Sequence, residues 1–163
     1  MCSGRVDIEY IFRALSNGQD GVLIGGCRLN ECNYATQGNY DALGNVYLCK
    51  KIMQQIGLNP ERLRIALVSS GDGILFAEVV TDFVETIRAL GPLGSAEVLD
   101  RKELKFRLEA VKKLVPYIKL VERQRLRVPF KSEAAYHQFF TSDAFYGLFD
   151  ELIADTLAIS RIM

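Results

Sequence analysis

Two short apolar runs constrain the fold of this chain more than any other feature: Gly21-Val22-Leu23-Ile24-Gly25-Gly26, and Arg62 to Ser69 (Arg-Leu-Arg-Ile-Ala-Leu-Val-Ser). Runs that are apolar at consecutive positions suit strands buried on both faces, the habit of parallel sheets. Between them Ala42, Val46, Cys49, Met53 and Ile56 recur at steps of four, three, four and three, and Gly57 supplies a stop. A helix is therefore expected from Asn39 to Ile56. Ahead of the first run, Val6 to Asn17 reads as a short helix with Ile8, Ile11, Phe12 and Leu15 on one side. Behind the second, Ser69-Ser70-Gly71-Asp72-Gly73 reads as a turn into a third helix, whose buried stripe should be Phe76, Val80, Phe83, Ile87 and Leu90.

This alternation implies an α/β fold: an open parallel sheet, flavodoxin-like or Rossmann-like, in three layers. Two strands are too few for a stable open sheet. At least one more strand is expected, and Cys2 stands where a strand should just have ended.

Gly91-Pro92-Leu93-Gly94 breaks the pattern and marks the boundary between an α/β domain (1–92) and an all-helical C-terminal extension (93–163). In the extension Leu104, Leu108, Val111, Val115 and Ile118 form one stripe, which Pro116 should kink or split. Ser132 can cap a helix through Phe140, and Asp143 can open a last one to about Ile159. Tyr136 to Phe149 holds six aromatics in fourteen residues. Such a stretch suits either a helical core or a partner-docking surface. The extension is expected to dock on a larger subunit.

Formal net charge is zero, so there is no basic excess to attract nucleic acid. The longest apolar runs fall far short of a membrane span, and no signal-peptide pattern opens the chain. A cytoplasmic location is expected. Free thiols persist there, and cysteine clusters read as metal or redox sites rather than disulfides.

The cysteines are Cys2, Cys27, Cys32 and Cys49. Cys27 ends the first apolar run, and ligands of open α/β sheets gather beyond the carboxyl ends of strands. Cys32 lies in the loop behind it, at the Cys-x4-Cys spacing found in plant-type ferredoxins. With Cys2 this makes three thiolates, one short of the set an iron–sulfur cluster takes. Structural zinc also wants four ligands, and the single histidine, His137, is far away in sequence. Cys49 sits on the apolar stripe of its helix and reads as core. A thiol-redox enzyme is disfavoured: there is no Cys-x-x-Cys, and no helix N-terminus directly follows either loop cysteine. No Gly-x-Gly-x-x-Gly or Walker pattern occurs. The Ser70 to Gly73 turn could hold an anion or simply cap its helix. No Ser/His/Asp set is evident.

Several ordered blocks resemble the delta subunit family of methyl-viologen-reducing hydrogenase. They are Cys2-Ser3-Gly4-Arg5-Val6-Asp7, then Gly21 to Cys27, then Cys32-Asn33-Tyr34 with Gly38-Asn39-Tyr40-Asp41-Ala42-Leu43, then Asn59-Pro60-Glu61-Arg62-Leu63 and Ser69 to Ala77. The resemblance covers residues 1 to about 92. It implies an electron-transfer subunit carrying a 2Fe-2S cluster, with Cys2, Cys27 and Cys32 as ligands. It implies a link between a hydrogenase, or a formate dehydrogenase, and heterodisulfide reductase with its flavin subunit. No substrate bond need be broken by this chain itself. Asn33 stands where the family commonly has His, a place from which hydrogen bonding can tune a cluster. Family members also carry an upstream strand and a cysteine-rich turn. The fold is therefore expected to be N-terminally incomplete, with Met1 an internal methionine behind an in-frame UGA. The competing expectations are a cluster-free adaptor and a structural zinc protein. Glu31, Asn33 or a partner residue are the other candidates to complete the site.

Overall fold

Asp7 opens the first helix, α1 (Ile8–Ser16), by accepting the Glu9 amide at 2.9 Å. This satisfies one of the donors that a helix start leaves without an intrahelical partner. The computed structural model describes residues 2–34, 38–121 and 132–160, with backbone only at 121, 133 and 152–160; Met1 lies outside them. After α1 come β1 (Val22–Gly26), α2 (Asn39–Gln55), β2 (Leu63–Leu67), α3 (Gly73–Leu90), α4 (Arg101–Val121), α5 (Glu133–Phe140) and α6 (Asp143–Ser160). Short 3-10 turns cover Ser3–Arg5 and Pro60–Arg62.

Strands β1 and β2 pair in parallel, with Val22 opposite Leu63 and Gly26 opposite Leu67. The expected crossover helix, α2, joins them. Among the described residues the sheet has these two strands alone. Cys2 has extended backbone, but it leads into the 3-10 turn rather than ending a strand.

Helix α2 is buried on several sides, through Tyr40, Leu43, Val46, Leu48, Cys49, Ile52 and Met53. It touches α1, β2, α5 and the Ser3–Arg5 turn. Its neighbour α1 buries Ile8, Ile11, Phe12 and Leu15, each worth about 1.5–3 kcal/mol. They face α4, whose stripe Leu104, Leu108, Val111, Val115 and Ile118 is buried as its spacing predicts. Ser16 Oγ donates to Glu109 at 3.0 Å, and Lys119 pairs with Asp7. Helix α4 runs unbroken through Pro116. Val115 and Ile118 stay buried on either side of the proline, so packing holds the turn that the missing N–H weakens.

The aromatic stretch is core toward α2. Tyr136 stacks on Tyr40 at 5.9 Å and Phe140 on Tyr47 at 5.2 Å, while Phe145 and Phe149 are buried behind them. One hydrophobic cluster thus runs from Ile8 to Phe149 and draws on both sides of the Gly91–Gly94 break.

Helix α3 departs from its predicted stripe. Only Phe83 is buried, while Ile74 (81% exposed), Leu75, Phe76 and Val84 face outward. The helix meets the sheet where Phe83 and Ile87 close on Gly21, and no further strand among the described residues lies beneath its N-terminal half. The end of α3 is held instead by Arg62, fully buried, whose guanidinium donates to the carbonyls of Leu90, Gly91 and Pro92 and to that of Asp20. Its charge is met by Glu97 at 2.7 and 3.1 Å.

Candidate functional site

Three of the four thiols meet beyond the carboxyl ends of β1 and β2. Cys2 Sγ and Cys32 Sγ are 3.5 Å apart, and the Cys27 thiol is within hydrogen-bond reach of Cys32. Cys32 is buried, while Cys2 and Cys27 are partly exposed. The fourth, Cys49, lies fully buried in the α2 core. Burial pushes its thiol far above the ordinary value, and the charge of Asp7 adds to this. It is inert packing, as its place on the stripe predicts.

Two glycines make this convergence possible. Gly38, in front of α2, has φ 60° and ψ −118°, a conformation that side chains disfavour. A Cβ there would stand 2.6 Å from Cys32 Sγ and 3.1 Å from Cys2 Sγ. Gly4 packs backbone against backbone on Gly38, so that a Cβ on it would meet Gly38 O at 2.2 Å. The turn after Cys2 is thereby laid directly on the head of α2.

Asn39, the first residue of α2, is fully buried. Its Nδ2 donates to the carbonyls of Cys27 (2.8 Å) and Arg28 (2.6 Å), and its backbone amide, with that of Tyr34, points at Cys32 Sγ. Burial alone would raise the Cys32 pKa. Those two amides and the neighbouring thiols outweigh it and hold the thiol below the ordinary value. Cys27 moves the other way, raised by burial and by the hydrogen bond and charge of Cys32. Cys32 lies against the head of α2, where the positive end of a helix favours negative charge. The sequence shows no helix directly behind a loop cysteine; the tertiary fold supplies one by bringing α2 back onto Cys32.

Across the site, Arg28 pairs with Asp72 at 2.6 Å and Ser69 Oγ bonds Glu31. Asp72 also accepts the Ser69 amide at 2.8 Å. Its carboxylate makes no cap bond to α3 and instead ties the loop after β2 to the loop after β1. Glu31 is thus engaged with Ser69, and Asn33 is exposed. His137 is exposed on α5, edge-on to Tyr47 on α2.

Sulfur donors as a class suit zinc, copper(I) or iron–sulfur chemistry. Two buried polar atoms near the cysteines, Ser3 Oγ and Asn39 Oδ1, have no hydrogen-bond partner, which is uncommon for buried polar groups. Among the described residues no three or more His, Cys, Asp and Glu side chains group around a single ion. A cluster, by contrast, spreads its ligands over more than one iron. The residues that sequence reasoning passed over are Gly4, Gly38 and Asn39. A Gly-Asn pair heading an apolar helix directly after a cysteine loop is the signal that was available.

The family model described as methyl-viologen-reducing hydrogenase, delta subunit, matches residues 1–91. The chain is 50% identical over 91 residues to an F420-non-reducing hydrogenase iron-sulfur subunit of Archaeoglobus profundus, covering 56% of this chain and 66% of that one. It is 43% identical over 95 residues to a ferredoxin:CoB-CoM heterodisulfide reductase subunit of Methanosarcina mazei, covering 58% of this chain and 12% of that one. Against the F420-non-reducing hydrogenase vhc iron-sulfur subunit of Methanococcus voltae it is 35% identical over 92 residues, covering 56% and 63%. The chain spans less than two thirds of the length of each of these relatives.

Proposed function

The chain belongs to the methyl-viologen-reducing hydrogenase delta subunit family, and from that premise we propose that it is an electron-relay subunit whose Cys2, Cys27 and Cys32 hold a 2Fe-2S cluster. The observation that carries this is the approach of Cys2 to the loop bearing Cys27 and Cys32 at the head of α2, with the Cys2 and Cys32 sulfurs 3.5 Å apart. When bound, such a cluster supplies one-electron chemistry whose potential depends on net charge, burial and hydrogen bonds to sulfur. The head of α2 lies against Cys32, and the positive end of a helix would favour negative charge on a group held there. The fourth ligand comes from outside this trio. The partners in this reading are a hydrogenase or formate dehydrogenase on one side and a heterodisulfide reductase with its flavin subunit on the other. Its support is the hydrogenase and heterodisulfide reductase names of the relatives. The flavodoxin-like three-layer arrangement belongs to the same proposal, supported by the parallel β1–β2 pair and by a site beyond its carboxyl ends. No helix among the described residues is long and apolar enough to cross a membrane, and a cytoplasmic location is part of the reading.

The test is anaerobic purification followed by iron, zinc and acid-labile sulfide analysis with a visible spectrum. Equal iron and sulfide are expected in the parent protein. Cys27→Ala and Cys32→Ala should each lose most of both. Cys49→Ala should load as the parent does, at a cost to stability of no more than about 2 kcal/mol for a small core truncation. Zinc without sulfide would move the reading to a structural zinc protein, and an empty site to a cluster-free adaptor.

A further inference from the structure

The loop that carries Cys27 and Cys32 turns tightly at Arg28–Glu31, where the Glu31 amide bonds the Arg28 carbonyl at 3.1 Å. Asn30, third in that turn, has φ 70°, a backbone state that asparagine tolerates better than most residues. Its side chain is held from α2: Tyr40 Oη donates to Asn30 Oδ1 at 2.7 Å. The Tyr40 ring is buried and lies nearly parallel to that of Tyr136, at 17°. Tyr136 belongs to α5, beyond the residues that match the family. Phe140, one turn on from Tyr136, stacks on Tyr47 of α2 and seats α5 there.

We infer that Tyr136 and Tyr40 are a positioning pair through which the C-terminal extension fixes the loop bearing Cys27 and Cys32. The chain of contacts is short. Helix α5 fixes the Tyr40 ring, the ring fixes its hydroxyl, and the hydroxyl fixes Asn30 between the two thiols. The physical argument is one of preorganisation: ligand groups on a loop are kept near a working geometry by the side chains that support them. The extension thus has an intramolecular task at the site, in addition to any partner it meets. This goes beyond the electron-relay reading and is tested without iron, so either can fail while the other stands.

The experiment is amide hydrogen exchange on the full-length chain, comparing three single variants. Tyr40→Phe removes only the hydroxyl. Tyr136→Leu removes the stacking ring and keeps bulk. Tyr136→Phe keeps the ring. Exchange across residues 27–34 should rise roughly three- to tenfold in Tyr40→Phe and Tyr136→Leu, the scale of one lost hydrogen bond. Helix α1 and the C-terminal half of α2 should exchange as before, and Tyr136→Phe, which keeps the ring, should protect 27–34 better than Tyr136→Leu does. Unchanged protection of 27–34 in Tyr40→Phe would overturn the inference. So would a rise in Tyr136→Leu spread equally over α1 and α2, which would reduce Tyr136 to general packing.

Discussion

Gly38→Ala is expected to dismantle the thiol site while leaving most of the core in place. The new Cβ overlaps Cys32 Sγ at 2.6 Å and crowds Cys2 Sγ at 3.1 Å. Neither sulfur can simply retreat. Cys32 is buried under the Tyr34 and Asn39 amides, and the turn after Cys2 is pinned by Gly4 against the Gly38 carbonyl. The backbone adds its own penalty, since a side chain in this region of φ and ψ costs roughly 1–3 kcal/mol. The expected result is near-complete loss of iron and sulfide uptake, with a lower urea midpoint and an unchanged far-ultraviolet spectrum. Helices α1 and α4, whose mutual core lies elsewhere, should keep their exchange protection. Full iron loading in Gly38→Ala would show that the thiols do not work from the geometry seen here.

Arg62→Met should produce the largest loss of global stability. The substitution keeps length but deletes the charge and its donors. Glu97, with 3% of its side chain exposed, is then left as a buried carboxylate without its counter-ion, and breaking a buried pair in this way costs about 3–5 kcal/mol. The carbonyls of Asp20, Leu90, Gly91 and Pro92 lose their donor as well. Urea unfolding measures the effect directly, and a loss under about 1 kcal/mol, the scale of an exposed pair, would refute it. The Arg62→Met, Glu97→Leu double variant should recover much of the loss, because removing both charges is far cheaper than removing one.

Acid provides an independent check on the same pair. Burial would raise the Glu97 pKa, but the Arg62 hydrogen bonds and charge, with the Asn59 amide, hold it below the ordinary carboxylate value. A folded pKa below the unfolded one gives stability that is complete above the unfolded value. That stability fades as pH falls through the folded one. The parent should therefore lose this contribution in the acid range below the usual carboxylate pKa, and Arg62→Met should show no such loss.

The elements of this fold were legible where burial follows a local period. The α1, α2 and α4 stripes, both strands and the Ser132 cap fall within a residue or two of their predicted places, while α6 starts at Asp143 and is capped by Ser142 instead, whose hydroxyl accepts the Phe145 amide. Cys2, Cys27 and Cys32 were singled out by strand-end logic and by the family resemblance, and the structure sets the Cys2 and Cys32 sulfurs 3.5 Å apart. What the sequence does not display is contact between distant segments. Arg62 reads as a polar strand-opener, yet it is the largest fully buried side chain among the described residues, because its partners come from residues 20, 90–92 and 97. Gly38 and Gly4 read as loop punctuation, and only their approach in space shows why no other residue fits. The α3 stripe misled for the complementary reason. Its apolar period is real, but a period says which side of a helix is oily and not whether anything lies against it.

The pairing of α1 with α4 joins positions far apart in the chain, as the Ser16–Glu109 bond at a separation of 93 residues shows. On a ribosome adding roughly 5–20 residues each second, α1 emerges about 5–20 s before the surface that covers it. During that interval Ile8, Ile11, Phe12 and Leu15 have α2 as neighbour but lack their α4 partners, and the aromatic brace on the cysteine loop is still to be made. The nascent chain thus completes its sheet and all three cysteines well before α4 can cover α1. Synthesis opens a window in which the segments bearing the cysteines are already made while the α1 face that α4 will cover is still bare.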